Sequence, residues 1–235
     1  MSITALVILS VTVIAAGFVQ GLSGIGFALI FAPIAGLINP GMLPVTLLVL
    51  MLPLNAFVTW RERSAVDWHG FRWIAVARVA STPLGLFVLT VVPKGRLGLL
   101  IGAATVLAAV VSLITPDFHP SRGAFLGAGV ATGLCETATG VGGPPLALVY
   151  QHAPAPQLRS TVAASFFLGE LVSVGLLLVR GVGSARSVLD AAWLIPALVI
   201  GLLLSSRVHH RIDSKRLRLL VLTFALVSGV VLMLS

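Results

Sequence analysis

Apolar positions run along this chain in long unbroken stretches, and polar and charged positions gather in short clusters between them. An apolar stretch of about 17 to 25 residues is long enough to cross the hydrocarbon of a bilayer as a helix. Six segments have that length without interruption: 42–60, 71–92, 97–115, 158–179, 188–206 and 217–234. Two more, 3–38 and 123–151, are too long for one straight helix. Each contains a glycine-rich motif, GLSGIG at Gly21 to Gly26 and CETATGVGG at Cys135 to Gly143. Each is expected to form a helix, a break and a shorter helix. The expected fold is all-α, a polytopic membrane protein.

The segments also repeat. Gly24 and Gly26 align with Gly140 and Gly142, Thr46 and Asn55 with Thr161 and Glu170, and Gly85 with Gly201. Leu97, Leu99 and Leu100 align with Leu217, Leu219 and Leu220, so the spacing stays between 115 and 120 residues. A duplicated unit of one broken segment plus three helices follows, with repeats at 1–116 and 117–235 forming one transport domain. If each broken segment crosses once, the basic loops nearly balance. If each is a hairpin, Arg61, Arg63, Arg72, Arg122, Arg159, Arg207, Arg211, Lys215, Arg216 and Arg218 share one side, and Lys94, Arg96, Arg180 and Arg186 the other. Basic residues accumulate on the cytoplasmic side of short loops. The asymmetry therefore favours hairpins, inverted halves and both termini outside.

Composition narrows the class further. Hydrophobic residues make up 58% of the 235 and charged residues 9%, with a mean hydropathy of +1.10, far from the balance of a soluble domain. The net charge of +8 then reflects topology and contact with anionic membrane lipids. Nucleic-acid binding is not expected, because no soluble face is present to carry it. A single cysteine, Cys135, excludes an intrachain disulfide and argues against a cysteine metal site. The histidines fall in loops or at segment ends, so neither a metal nor another cofactor is expected. The amino terminus lacks the basic start of a cleaved signal. Trp60, Trp68, Trp73 and Trp193 sit at segment boundaries, as interfacial anchors do.

Candidate chemistry lies in the two breaks. Non-helical backbone at membrane depth survives only where protein buries it or water reaches it. Pro144 and Pro145 place a helix start directly after the second motif. The first motif should open a helix near Phe27, bent at Pro33. Helix starts present free amides and partial positive charge, so two of them facing each other would hold an anion. The candidate substrate-binding residues are Gln20, Gly21, Ser23, Gly24 and Gly26 in the first half, with Arg78, and Thr137, Thr139, Gly140, Gly142 and Gly143 in the second. Ser23, Thr137 and Thr139, read as lying inside the breaks, either donate to an oxyanion or cap the adjoining helices. Gln20 and Thr132 either line the same cavity or hydrogen-bond between helices.

Ionisable groups at depth cost about 2.5–3.5 kcal/mol each on insertion scales, which marks Glu136 and Glu170 as candidate proton-coupling residues. Glu170 has Asn55 as its partner in the repeat; Glu136 has no counterpart in the first motif. Glu170 is either a proton carrier or a hydrogen-bonded helix tie, and Glu136 either couples a proton or shapes the break. Arg78 either holds an anion, pairs with Glu136 or Glu170, or snorkels to the headgroups, the last being the expected fate. No catalytic residue is assigned.

These motifs resemble those of the TauE/SafE family of sulfite and organosulfonate exporters, also called TSUP. The residues that carry the resemblance are Gly21, Gly24, Gly26 and Pro33, then Gly140, Gly142, Gly143 and Pro145, in two four-segment halves spanning the whole chain. Ile25 and Phe27 stand where the family often has more glycine, and Glu136 adds a negative charge. The resemblance implies movement of small sulfur-containing anions, such as sulfite or sulfoacetate, across the bacterial inner membrane.

With no Walker nucleotide loop, a secondary transporter working by alternating access is expected. It would be driven by a proton gradient or by the membrane potential as a uniporter, and a homodimer is compatible. Two alternatives stand beside it. Gly21 to Gly24 spells the GxSG pattern of rhomboid intramembrane proteases, with Ser23 as nucleophile, although no histidine base lies within an apolar span. A non-transporting scaffold subunit is the other.

Overall fold

Helices follow the hydrophobic pattern in a computed structural model that describes residues 2–114, 120–182, 184–208 and 214–234. They are α1 (Ile3–Ser23), α2 (Phe27–Ile38), α3 (Val45–Arg61), α4 (Trp68–Val91), α5 (Leu97–Ile114), α6 (Arg122–Thr139), α7 (Gly143–Val149), α8 (Ala155–Val179), α9 (Ala185–Val208) and α10 (Ser214–Leu234). Asp117, Gly183 and Arg211 lie outside the described residues, as do the side chains of residues 94, 208 and 214–218. The sides expected for Lys94, Arg211, Lys215, Arg216 and Arg218 therefore fall outside this description.

Five helices, α1, α4, α5, α8 and α9, are long and apolar enough to cross a membrane, while α2, α3 and residues 219–234 of α10 are shorter apolar helices. Apolar side chains also cover the outside: Val11, Val76, Phe87, Leu107 and Leu203 are all exposed. That arrangement suits lipid. The chain is a multi-pass membrane protein.

Starts and stops have local causes. Ser2 and Ser121 cap α1 and α6 by accepting from the amides three residues on, and Asp67 caps α4 by accepting from His69 and Gly70. Both α1 and α6 end on a glycine in the left-handed region, Gly24 at φ 80° and Gly140 at φ 82°. The Gly24 amide bonds back to the Gln20 carbonyl, and the Gly140 amide to that of Glu136. Only glycine takes this conformation without a Cβ penalty.

Packing pairs each broken unit with a helix of the other half: α1 lies along α9, and α6 along α4, while α3 packs on α8 and α5 on α10. The aligned glycines Gly201 and Gly85 sit at these crossings. A Cβ at Gly201 would lie 2.5 Å from the Ile14 carbonyl oxygen, and one at Gly85 2.5 Å from that of Leu134. Small residues let membrane helices approach backbone to backbone in this way.

The connections sort onto two faces. On one, Arg61 donates to the Gly21 carbonyl and to Ser206, Arg159 pairs with Glu62, Tyr150 donates to Asp67, and Thr161 accepts from the Asp67 amide. On the other, a cavity of about 420 Å³ gathers Leu6 with Arg186, Asp190 and Trp193. A second of about 410 Å³ gathers Pro40 and Leu43 with Leu89, Leu97, Gly181 and Val182. The start of α1 and the end of α2 thus lie on this second face, and the first break approaches the first. Arg122 lies over Trp73 and Phe125 packs at a tilt against Tyr150, which puts both ends of α6–α7 on the first face. At each break the chain folds back, α2 packing on α1 and α7 on α6.

Candidate functional site

The first break is held shut by one side chain. Gln20 Nε2 donates to the Gly24 carbonyl at 3.0 Å, and Gln20 Oε1 accepts from the Phe27 amide at 3.0 Å. Both ends of the non-helical turn are thereby satisfied, as a buried backbone requires. Ser23 Oγ donates to the Val19 carbonyl, bonds closely with the Ile25 carbonyl and accepts from the Ile25 amide.

The second break is built on the same plan with one change. Thr139 Oγ1 donates to the Cys135 carbonyl and accepts from the Val141 amide, matching Ser23 at a spacing of 116. At that spacing Gln20 corresponds to Glu136, since each stands four residues before its left-handed glycine. The expectation that Glu136 lacks a counterpart is therefore corrected. Its carboxylate does not close the turn; Thr132 Oγ1 does so, donating to the Gly142 carbonyl at 3.1 Å.

Glu136 turns into the bundle instead. Arg78 Nη2 meets its Oε2 in an ion pair, with both side chains about 1% exposed or less. The Arg78 guanidinium also lies over the Phe166 ring, 4.9 Å from the centroid. It fits because a Cβ at Gly169 would run into Arg78 Nε. Snorkelling is overturned: α4 buries this position between α6 and α8, out of reach of any headgroup.

Beside it, Asn55 Nδ2 donates to Glu170 Oε1 at 2.8 Å. The two residues aligned by the repeat thus touch each other. Among the described residues, Arg78 Nε and Nη1, Glu136 Oε1, Glu170 Oε2 and Asn55 Oδ1 are buried without a hydrogen-bond partner. Such orphans are rare in folded proteins, and each calls for a physical explanation.

The remaining candidates divide. Thr137 and Thr139 lie in the last turn of α6 and Gly21 and Ser23 in the last turn of α1, not inside the breaks. The Thr137 hydroxyl is bonded to Ser173 at 2.8 Å. Gly26 and Gly142 occupy the N-cap positions of α2 and α7. Pro144 and Pro145 carry no N–H, so the second helix start offers fewer amides than a general helix start would.

The two breaks meet. A Cβ at Gly143 would lie 3.6 Å from Ile25 Cγ2 and 3.9 Å from Phe166. The turns are closed against each other in this structure. The cavity touching the first, lined by Ser23, Ile25, Leu29, Val221 and Leu222, measures about 10 Å³, room for one water at most.

Sequence reasoning missed the Arg159–Glu62–Arg61 cluster and the Tyr150–Asp67 bond, because residues far apart in the chain create them. The role of Gln20 was within reach through its place four residues before Gly24. No curated protein and no solved structure matches the chain. A family model described as "Sulfite exporter TauE/SafE" matches residues 9–232, taking in both breaks and all helices but the start of α1 and the end of α10. With its two hairpin breaks meeting inside a bundle of apolar helices, the chain belongs to the TauE/SafE sulfite exporter family of membrane transporters.

Proposed function

We propose that this protein is a secondary transporter that exports small sulfur-containing anions, sulfite or sulfonates such as sulfoacetate, across the bacterial inner membrane. The anion is held between the two glycine breaks near the midplane. The face carrying Arg61, Arg72, Arg122, Arg159 and Arg207 is cytoplasmic, in keeping with the positive-inside rule. Residues 1–116 and 117–235 act as inverted repeats whose exchange of conformation opens the site to one side and then the other.

The observation that carries this reading is the meeting of Ile25 with Gly143, where two interrupted helices converge in the protein interior. Irregular backbone at that depth is tolerated where it serves a cavity. Closed breaks correspond to an occluded form, and transport requires α2 or α7 to move.

Glu170 carries the coupling proton. As a carboxylate it leaves its own Oε2 and Asn55 Oδ1, both acceptors, without donors. One proton on Glu170 turns the pair into an acid–amide couple and supplies the missing donor. It also leaves the cluster neutral, with Arg78 and Glu136 cancelling.

Purified protein in liposomes tests the reading by counterflow of radiolabelled sulfite, with sulfoacetate and acetate as competitors. Sulfite uptake without partner proteins, inhibited by sulfoacetate and not by acetate, is the expected result. Absence of flux would favour a scaffold role. In the same assay Glu170→Gln should flatten the dependence of flux on pH; an unchanged profile removes Glu170 from coupling and leaves uniport driven by the membrane potential.

A further inference from the structure

The basic face holds an ion cluster that the transport reading leaves unused. Arg159, early in α8, is 6% exposed. Its Nε donates to both oxygens of Glu62 at 3.0 and 3.1 Å, and its Nη2 to Glu62 Oε1 at 2.8 Å. Arg61 donates to the Gly21 carbonyl at 3.0 Å, to Ser206 at 3.1 Å and to Glu62 at 3.2 Å. The ends of α1, α3 and α9 and the start of α8 are thus tied at one point.

That point adjoins the first break. A Cβ at Gly24 would lie 3.0 Å from both Cα and Cγ of Arg159, so the arginine stem packs directly on the left-handed turn. Two guanidinium groups share one carboxylate. Among the described residues Arg61 Nε has no hydrogen-bond partner, and Arg159 Nη1 makes only a 3.5 Å contact with the Leu22 carbonyl. Nearby Asp67 does not supply a second anion, being taken up by Tyr150 and the start of α4. The cluster therefore keeps cationic donor capacity beside the turn.

The opposite face is tied differently. There the start of α3 meets the start of α9 through a neutral bond, from Thr46 Oγ1 to the Ser187 carbonyl at 3.0 Å. The cavity at the ends of α4 and α2 is lined by Leu43, Leu89, Val92 and Leu97 among others, and the other cavity of that face holds Arg186 together with the acidic Asp190.

Building on the transport reading, we propose that Arg159 is the anion-receiving residue of a gate on the basic face. In the closed form its fork grips Glu62. An arriving sulfite or sulfonate, whose oxygens suit the guanidinium fork as a carboxylate does, displaces Glu62, releases the start of α8 from the end of α3 and passes to the Gly24 break. The anion itself opens the gate, and it does so from the basic face alone.

The test is sided flux of radiolabelled sulfite in liposomes holding the full chain in one orientation. Loss of a charge-assisted bond in Arg159→Gln should raise KM at the basic face about tenfold or more while leaving KM at the opposite face within about twofold. Glu62→Gln removes the competing carboxylate and should lower KM at the basic face. Arg159→Lys, which keeps the charge without the fork, should fall between wild type and Arg159→Gln. Opposite shifts for the two partners distinguish a receiving residue from a salt bridge that only braces the fold. An unchanged KM in Arg159→Gln, or shifts in one direction for both variants, overturns the gate. If Arg159→Gln does not fold, the Glu62→Gln shift decides alone. Wild-type protein that moves no sulfite would overturn the transport reading itself, whereas normal wild-type flux with unmoved variants overturns only the gate.

Discussion

Replacing Arg78 by alanine is expected to destabilise the folded bundle by about 3–5 kcal/mol, the cost of leaving a buried charge without its partner. Arg78 is 1% exposed and its ion-pair partner Glu136 is fully buried. Truncation removes the only counter-charge shown for Glu136 among the described residues, together with the guanidinium packed on Phe166. Neutralising both partners should cost far less, because no uncompensated charge remains. Thermal unfolding in detergent separates the cases: Arg78→Ala should melt well below wild type, and Arg78→Met with Glu136→Gln should recover most of the difference. If the double variant is as unstable as the single one, packing and not charge holds the cluster.

Gly142→Leu is expected to abolish transport while leaving the spans inserted. Gly142 opens α7, and its carbonyl accepts from Thr132. A Cβ there would lie 2.7 Å from Glu136 Cβ and 3.0 Å from Thr132 Cγ2. Overpacking of this kind costs about 1–3 kcal/mol, here concentrated on the turn proposed to hold the anion. The side chain has to push α7 away from α6, which breaks the Thr132 bond. Gly175→Ala is the control, since a Cβ at Gly175 meets nothing within 4 Å. Sulfite counterflow by the two variants checks this: Gly175→Ala should match wild type and Gly142→Leu should show none. Retained flux in Gly142→Leu would remove the second break from the site.

Most of the architecture was legible because bilayer crossing imposes one simple requirement, length of apolar run. The spans expected at 71–92 and 97–115 appear as Trp68–Val91 and Leu97–Ile114, and the split of 3–38 falls at Gly24 to Gly26. The uneven distribution of Lys and Arg favours a hairpin for each broken segment, in keeping with α2 packing back on α1 and α7 on α6. Individual partnerships were not legible. Arg78 reads as a snorkelling residue when only its distance from the helix end is counted; the packing of α4 against α6 decides its fate, and periodicity does not encode that packing. For Ser23 and Thr139 the sequence leaves open a donor to an anion or a helix cap, and in the structure their hydroxyls complete the helix ends. Glu62 and Arg159 are 97 residues apart, and nothing local marks them as a pair. The correspondence of Gln20 with Glu136 is present in the spacing of 116 residues, but an amide and a carboxylate differ in chemistry, so residue type does not mark them as one position.

The central claim is that an anion binds where the two breaks converge. The most direct measurement is the anomalous-scattering peak of 2-bromoethanesulfonate in crystals of the protein. The account predicts bromine density in contact with both the Gly24 to Phe27 turn and the Gly140 to Gly143 turn. Bromine confined to the cavity beside Leu6, Arg186 and Trp193, with the two turns still closed on each other, would contradict it.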